Sequence, residues 1–360
     1  MAYSAGVFTP TALQKARAKA SEMWASDVWN KQWKRPTGVF NFLTNRQAVR
    51  VRNTGVQTLI NGRYCNQHEV WFLNDVNDTS SETYSGDSAD CTFTGAELGS
   101  DAKTYTSSDL GIFRRTVNSV KCVREDDFDL LRATAMMNIK MDLEMELEKD
   151  LLTFITANTK GTLTGFSPTT GTWDETNDKW VITPAQATAE FIAEIKREAI
   201  KFRMIDPVLV CGNAYFLERM KADAEPGSGY QNYNALLTDP NLPIVHNIVD
   251  LDTISGGTKM YLVDAASIGF IPSQENQNTS PLSNVADLFF WYEGSMNLTY
   301  SDGGQILPVP FDWRMRKACT GASSSAFAEH YEGKAAGVFA EAPQPEQTIY
   351  PNIVEISIEA

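Results

Sequence analysis

Apolar residues recur at Phe128, Leu131, Ala135, Ile139, Leu143, Leu147, Leu151 and Phe154, in steps of three and four. That spacing marks one face of an α-helix. No Gly or Pro interrupts the stretch from Glu125 to about Asn158, so the pattern predicts a helix roughly 50 Å long at 1.5 Å per residue. Glu125, Asp126, Asp127 and Asp129 crowd its first turn, where carboxylates favour the positive end of the helix dipole. A coiled coil is the competing pattern, but the stripe drifts at a four-residue step and is too short for sustained heptads.

Around this spine the pattern changes several times. Thr9 and Pro10 open a helix running to Ser26, followed by Trp24, Trp29 and Trp33 at near-helical spacing, until Arg35-Pro36-Thr37-Gly38 breaks it. Residues 64–112 are rich in Ser, Thr, Asp and Gly, with short alternating pieces at Glu69-Val70-Trp71-Phe72 and Cys91-Thr92-Phe93-Thr94. They predict a long, exposed, two-stranded loop, which is marginal alone and needs a surface to lie on. Phe113–Val123 alternates as a strand. Thr172-Trp173 and Lys179–Ile182 flank a turn and predict a hairpin. Thr183-Pro184-Ala185-Gln186 has the form of a capping box, predicting a second helix to about Arg203 with Ala187, Phe191, Ile195 and Ala199 on its apolar face. Pro207–Gly212 reads as a buried strand leading into a helix near Asn213. Ile244–Val249, Lys259–Asp264, Ser267–Pro272 and Ala286–Tyr292 are strand-like. The expected class is α+β.

Composition adds bounds. With 360 residues, 42% hydrophobic and 21% charged, the chain can bury a sizeable core. No apolar run reaches the roughly 18 residues a membrane helix needs, and Met1–Pro10 has no basic region followed by an apolar one, so secretion is not expected. Cys65, Cys91, Cys122, Cys211 and Cys319 are odd in number and scattered, as expected of reduced thiols made in a cytosol. The net charge of -14 argues against a dedicated nucleic-acid binder. Its distribution says more. Residues 1–63 hold ten Lys and Arg against two acids, whereas residues 64–112 hold nine acids against Lys103 alone. Such blocks attract each other within a chain or between neighbouring copies.

Catalytic patterns are missing. There is no phosphate-binding G-x-x-x-x-G-K-[ST], no dinucleotide G-x-G-x-x-G, no G-x-S-x-G and no H-E-x-x-H. Only His68, His246 and His330 are present, so the commonest general base and metal ligand is scarce. Cys65-x-x-His68 has the spacing of half a zinc site, but a buried thiol near an exposed imidazole explains it more simply. Asp250-x-Asp252 and Asp78-Thr79-Ser80 lack the further ligands or matched loop that cation or aspartic-protease chemistry requires. No catalytic residue, metal or cofactor is expected.

The order of elements, however, is specific: a basic arm, a long polar loop, a strand feeding a long acidic helix, a second helix, a buried strand and a mixed α/β unit. With the stretches Thr116–Asp127, Asp206–Tyr215 and Gly257–Phe270, from about residue 40 onward, this resembles the tailed-bacteriophage major capsid protein of the Hong Kong 97 type. The resemblance implies an N-terminal arm (1–63), an extended β-hairpin loop (64–112), a peripheral domain with the spine helix (113–206), an axial α/β domain (207–310) and a C-terminal return to the peripheral domain (311–360). It implies a structural subunit, not an enzyme. Such a subunit assembles with itself as hexamers and pentamers into an icosahedral virion shell, after synthesis in the host cytoplasm. Scaffold, portal and decoration proteins are the other expected partners; the enclosed double-stranded DNA is not read by sequence, and no membrane is involved. Combined with the charge blocks, it makes Arg46, Arg50, Arg52, Trp71, Asp87 and Asp90 candidate inter-subunit contacts. An encapsulin-like compartment shell and a soluble α+β hydrolase without a recognisable motif are the alternatives.

Overall fold

The computed structural model describes residues 39–44, 46, 49, 51–60, 63–74, 99–118, 125–159, 163, 165–212, 241–256, 258–272, 291–298, 309–319, 327–342 and 350–359. The expected helix at Pro10–Ser26, the piece Cys91–Thr94, the helix near Asn213 and the segments 119–123 and 286–290 lie outside them.

The spine helix, α2, runs Glu125–Ala157 over 33 residues, nearly as its periodicity predicts. It follows a short helix α1 (Val39–Thr44) and four strands: β1 (Val51–Ile60), β2 (Arg63–Asn74), β3 (Gly99–Thr106) and β4 (Ser108–Asn118). Ala135, Ile139, Leu143, Leu147 and Leu151 are buried along its inner face, but Leu131 is 39% exposed. The stripe continues towards the N-terminus through Arg132 instead, which is buried against a carboxylate from a distant strand.

That strand is β13 (Phe327–Glu341), 15 residues long. Its first half lies between β4 and β12 (Val309–Cys319), its second half pairs with β10 (Ile268–Pro272), and β11 (Trp291–Leu298) closes the sheet beyond β12. The helix α2 lies against β4 and β13. Gly333 allows that approach, since a Cβ there would stand 2.1 Å from Cγ2 of Ile139.

The second sheet has the order β5-β6-β14-β9-β7-β8, comprising Thr172–Asp174, Lys179–Ile182, Ile353–Ile358, Lys259–Asp264, Pro207–Cys211 and Ile244–His246. Alternate residues serve two cores. Val208, Val210, Tyr261, Val263 and Ile353 join Leu143, Leu147 and Leu151 of α2 on one face. Leu209, Cys211, Met260, Leu262, Val354 and Ile356 join Phe191, Ile195 and Ala199 of α3 (Ala189–Lys201) on the other. A sheet covered on both faces reads as continuous apolar strands, and this is why Lys259–Asp264 was so legible. Phe166, Trp180, Phe191 and Phe202 complete the second core, with ring centroids 5.0–5.3 Å apart.

Two boundaries differ from expectation. Thr183–Gln186 does make its capping bond, Thr183 N–H to Oε1 of Gln186 at 2.9 Å, but as an isolated turn. The Thr188 N–H then donates to the Gln186 carbonyl, and the helix begins only at Ala189. The run Ile244–Val249 is a strand only to His246. Asn247 ends it by accepting from the Asp250 N–H at 2.9 Å, which caps a helix α4 (Ile248–Ser255).

Buried carboxylates tie these layers together. Glu148 of α2 accepts from the backbone N–H groups of Val39 (3.1 Å) and Phe40 (2.7 Å) and from Nδ2 of Asn247 (3.1 Å). One side chain thus serves the N-termini of two other helices. Burial pushes its carboxyl up, and the backbone donors oppose that shift. Asp264, fully buried, accepts from the Asp206 N–H, the Ala266 N–H and the Ser267 hydroxyl, fixing the corner between β9 and β10.

Candidate functional site

Strands β1, β2 and β3 form a separate antiparallel sheet. The expected two-stranded loop therefore has a third strand, Val51–Ile60, drawn from the basic segment before it. Its pairing is staggered. β2 pairs with β1 from Val70 back to Arg63, and with β3 from Gln67 forward to Asn74. The overlap at 67–70 is the root, with the β1–β2 turn at one end and the acidic stretch 75–98 joining the strands at the other. Twelve residues of β2 extend over about 40 Å at roughly 3.4 Å per residue.

At the root, Val70 packs with Ile271 of β10 and Ala340 of β13, with Val49, Tyr105, Val338 and Ala342 around them. The Tyr105 hydroxyl donates to the Glu341 carbonyl at 2.8 Å and accepts from the Glu341 N–H at 3.1 Å. His68 shares a 2.9 Å hydrogen bond with the Ser107 hydroxyl, and burial lowers its pKa, favouring the neutral imidazole. That bond gives His68 a role other than zinc ligation, and among the described residues no group of three or more His, Cys, Asp or Glu is placed to hold a metal. Tyr105→Phe is expected to lose about 1 kcal/mol of root stability and to speed amide exchange along β3 more than along β13. Equal exchange along β3 in the wild type and the variant would remove the hydroxyl's clamping role.

The candidate contacts divide. Trp71, opposite Ala102, is one step past the root towards the acidic stretch. Arg52 lies directly opposite Glu69 in the β1–β2 register. Arg46 is committed within its own chain: its guanidinium meets Oδ1 of Asp206 at 2.7 Å and lies 4.2 Å from the Phe42 ring centroid. Arg50, Asp87 and Asp90 lie outside the described residues. Sequence reasoning missed the clamp residues Tyr105 and Glu341, which are 236 positions apart; the alternation around Val70 was the one signal available.

No family model matches the sequence, and no curated protein does. Solved structures do. The chain is similar to one described as the capsid structure of the Cyanophage P-SCSP1u, with 9% identity, a TM-score of 0.46, and 90% of this chain and 89% of that chain covered. It is similar also to the capsid structure of Staphylococcus phage Andhra, with 9% identity, a TM-score of 0.44, and 89% and 84% covered. A structure from Mycobacterium phage Bobi has 12% identity, a TM-score of 0.44, and 88% and 91% covered. At such identities no residue role is carried across. Among the described residues no helix is long and apolar enough to cross a membrane.

Proposed function

We propose that this chain is a structural subunit that assembles with copies of itself into a closed shell, the icosahedral capsid of a bacteriophage enclosing double-stranded DNA. The carrying observation is the three-stranded sheet: strands of ten, twelve and eight residues rooted, among the described residues, on one small apolar cluster and a tyrosine clamp. A sheet of three strands needs an apolar face or a packed neighbour for stability. A second copy supplies that neighbour. The spine helix and the doubly covered sheet give a stiff body from which the strands extend, as a shell wall requires. The acidic balance of the chain (net charge -14) keeps such a wall from clamping the DNA inside.

In this proposal the segments 1–63, 64–112, 113–206, 207–310 and 311–360 are arm, extended loop, peripheral domain, axial domain and C-terminal return. The acidic stretch bearing Asp87 and Asp90, with Trp71 at its base, reaches across to a neighbour, and Arg50 and Arg52 take part in matching the charges. Each exposed pair contributes only about 0.2–1 kcal/mol, but repetition around a ring favours correct register over wrong contacts. Purified chain examined by gel filtration and negative-stain microscopy is expected to give rings or particles. A stable monomer at high concentration sinks the proposal. Arg50→Glu with Arg52→Glu is expected to lower particle yield several-fold at low salt, as read by light scattering; unchanged yield removes these two residues from the contact.

A further inference from the structure

We propose that the turn between α3 and β7 is a seat for the acidic stretch 75–98 of a second copy of this chain. The inference rests on the shell reading and adds to it a second contact for the same stretch.

The turn is rigid. Helix α3 ends at Lys201 with Phe202 as C-cap. The Arg203 N–H donates to the Ile200 carbonyl at 3.0 Å, and the Met204 N–H donates to the Ala199 carbonyl at 3.1 Å. These are the two bonds of a Schellman motif. Phe202 and Met204 are buried in the core beneath. The residues between and beside them point the other way: Ile200 is 70% exposed and Ile205 79% exposed. Two isoleucines so exposed on a hydrogen-bonded turn are held there by the fold.

The left-handed position of this motif is the one that normally takes glycine. Here it is Arg203, with φ of 54°, and its guanidinium lies 4.4 Å from the centroid of the Tyr350 ring. A strained cation is thus kept where glycine would suit the backbone better, and strain of this kind collects at functional surfaces. Arg197 and Lys201 are exposed on the same segment, and Lys196 is half-buried. The acid among them, Glu198, is buried and bonded to Lys201 at 2.6 Å. So residues 196–203 hold four basic residues and one buried acid, in a chain of net charge -14.

The occupant follows from charge and reach. Residues 75–98 contain Asp75, Asp78, Glu82, Asp87, Asp90 and Glu97 and no Lys or Arg, with Val76, Tyr84 and Phe93 among them. They connect Asn74, the last residue of β2, to Gly99, the first of β3, and a fully extended chain of half their length would span up to about 40 Å. Nucleic acid would match the positive charge of the segment equally well, but not the isoleucines. The pairing of apolar and cationic groups favours an acidic, partly aromatic peptide.

The test is a fluorescence-anisotropy titration of a labelled synthetic peptide, residues 75–98, onto the full unassembled chain. Saturable binding that weakens with salt is expected, at least tenfold weaker for Ile200→Glu with Ile205→Glu. Arg203→Gly, which suits the backbone, is expected to keep or raise the melting temperature while weakening binding about threefold. The seat is overturned if the peptide does not bind, or if wild type and the double variant bind it equally. It is overturned as well if the double variant loses affinity for duplex DNA and not for the peptide. Negative-stain microscopy of the wild type separates the two proposals: peptide binding without any particles sustains the seat while the shell reading fails, and particles without peptide binding do the reverse.

Discussion

Arg132→Ala is expected to destabilise the folded chain by about 3–5 kcal/mol, the usual cost of removing one partner of a buried ion pair. Nε and Nη2 of Arg132 reach the two oxygens of Glu329 at 2.8 and 2.6 Å, and Glu329 is fully buried. The Tyr331 hydroxyl adds a third bond to the same carboxylate at 2.8 Å. Its own ionisation is pushed up by burial first and by the Glu329 charge second, so it stays a donor. In the variant, Glu329 keeps the Tyr331 hydroxyl but loses the guanidinium that meets both its oxygens, between α2 and β13. The carboxylate must then admit water or part the helix from the strand. Arg132→Met combined with Glu329→Leu removes both charges and is expected to recover most of the loss. Denaturant unfolding of the unassembled variants measures both. A single variant within about 1 kcal/mol of wild type would show that the pair does not hold the start of the spine.

This pair also shows what the sequence could and could not disclose. The spine was legible because seven turns repeat one stripe, and β9 because Met260, Tyr261, Leu262 and Val263 form an unbroken apolar run. At Leu131 the same periodicity went wrong: the buried position of that turn belongs to Arg132, and nothing near it in sequence shows that Glu329 stands opposite. α1 is six residues long, too short to persist by propensity. It is held by a Glu148 carboxylate 108 and 109 positions away. The N-cap at Asn247 was written locally, as Asn followed three residues later by Asp250, but the apolar run around it read more strongly as strand. The candidate site follows the same rule. Alternation disclosed the strand β2 on which Trp71 lies, whereas the clamp of Tyr105 on Glu341 and the pairing of Arg46 with Asp206 exist only through long-range folding.

Two turns along the same helix face, a second buried pair is expected to act in the opposite sense. Lys140 and Glu144 are both buried. Burial is the first cause of the shift in each: the lysine is lowered to about 8 and the carboxyl raised to about 8, with each partner's charge only partly restoring the other. Desolvation outweighs attraction here. Between the ordinary carboxyl range and pH 8, the folded chain holds a proton on Glu144 that the unfolded chain has lost, so stability falls as pH rises. Above about 8, folded Lys140 gives up a proton that the unfolded lysine retains up to its ordinary value, so stability rises again. Asp150, raised to about 6 mainly by burial, steepens the fall on the acid side. The expected profile is a trough near pH 8. Lys140→Met with Glu144→Leu is expected to flatten that trough and to gain about 1–4 kcal/mol at pH 8. In Lys140→Met alone, Glu144, without the lysine charge that lowers it, keeps its proton to higher pH, so the fall in stability extends above pH 8 and the later rise disappears. Denaturant midpoints from pH 5 to 10 decide it. A wild-type profile without the trough, or a double variant less stable than wild type by more than about 1 kcal/mol, would mean that attraction between the two charges, and not their desolvation, dominates beneath the spine.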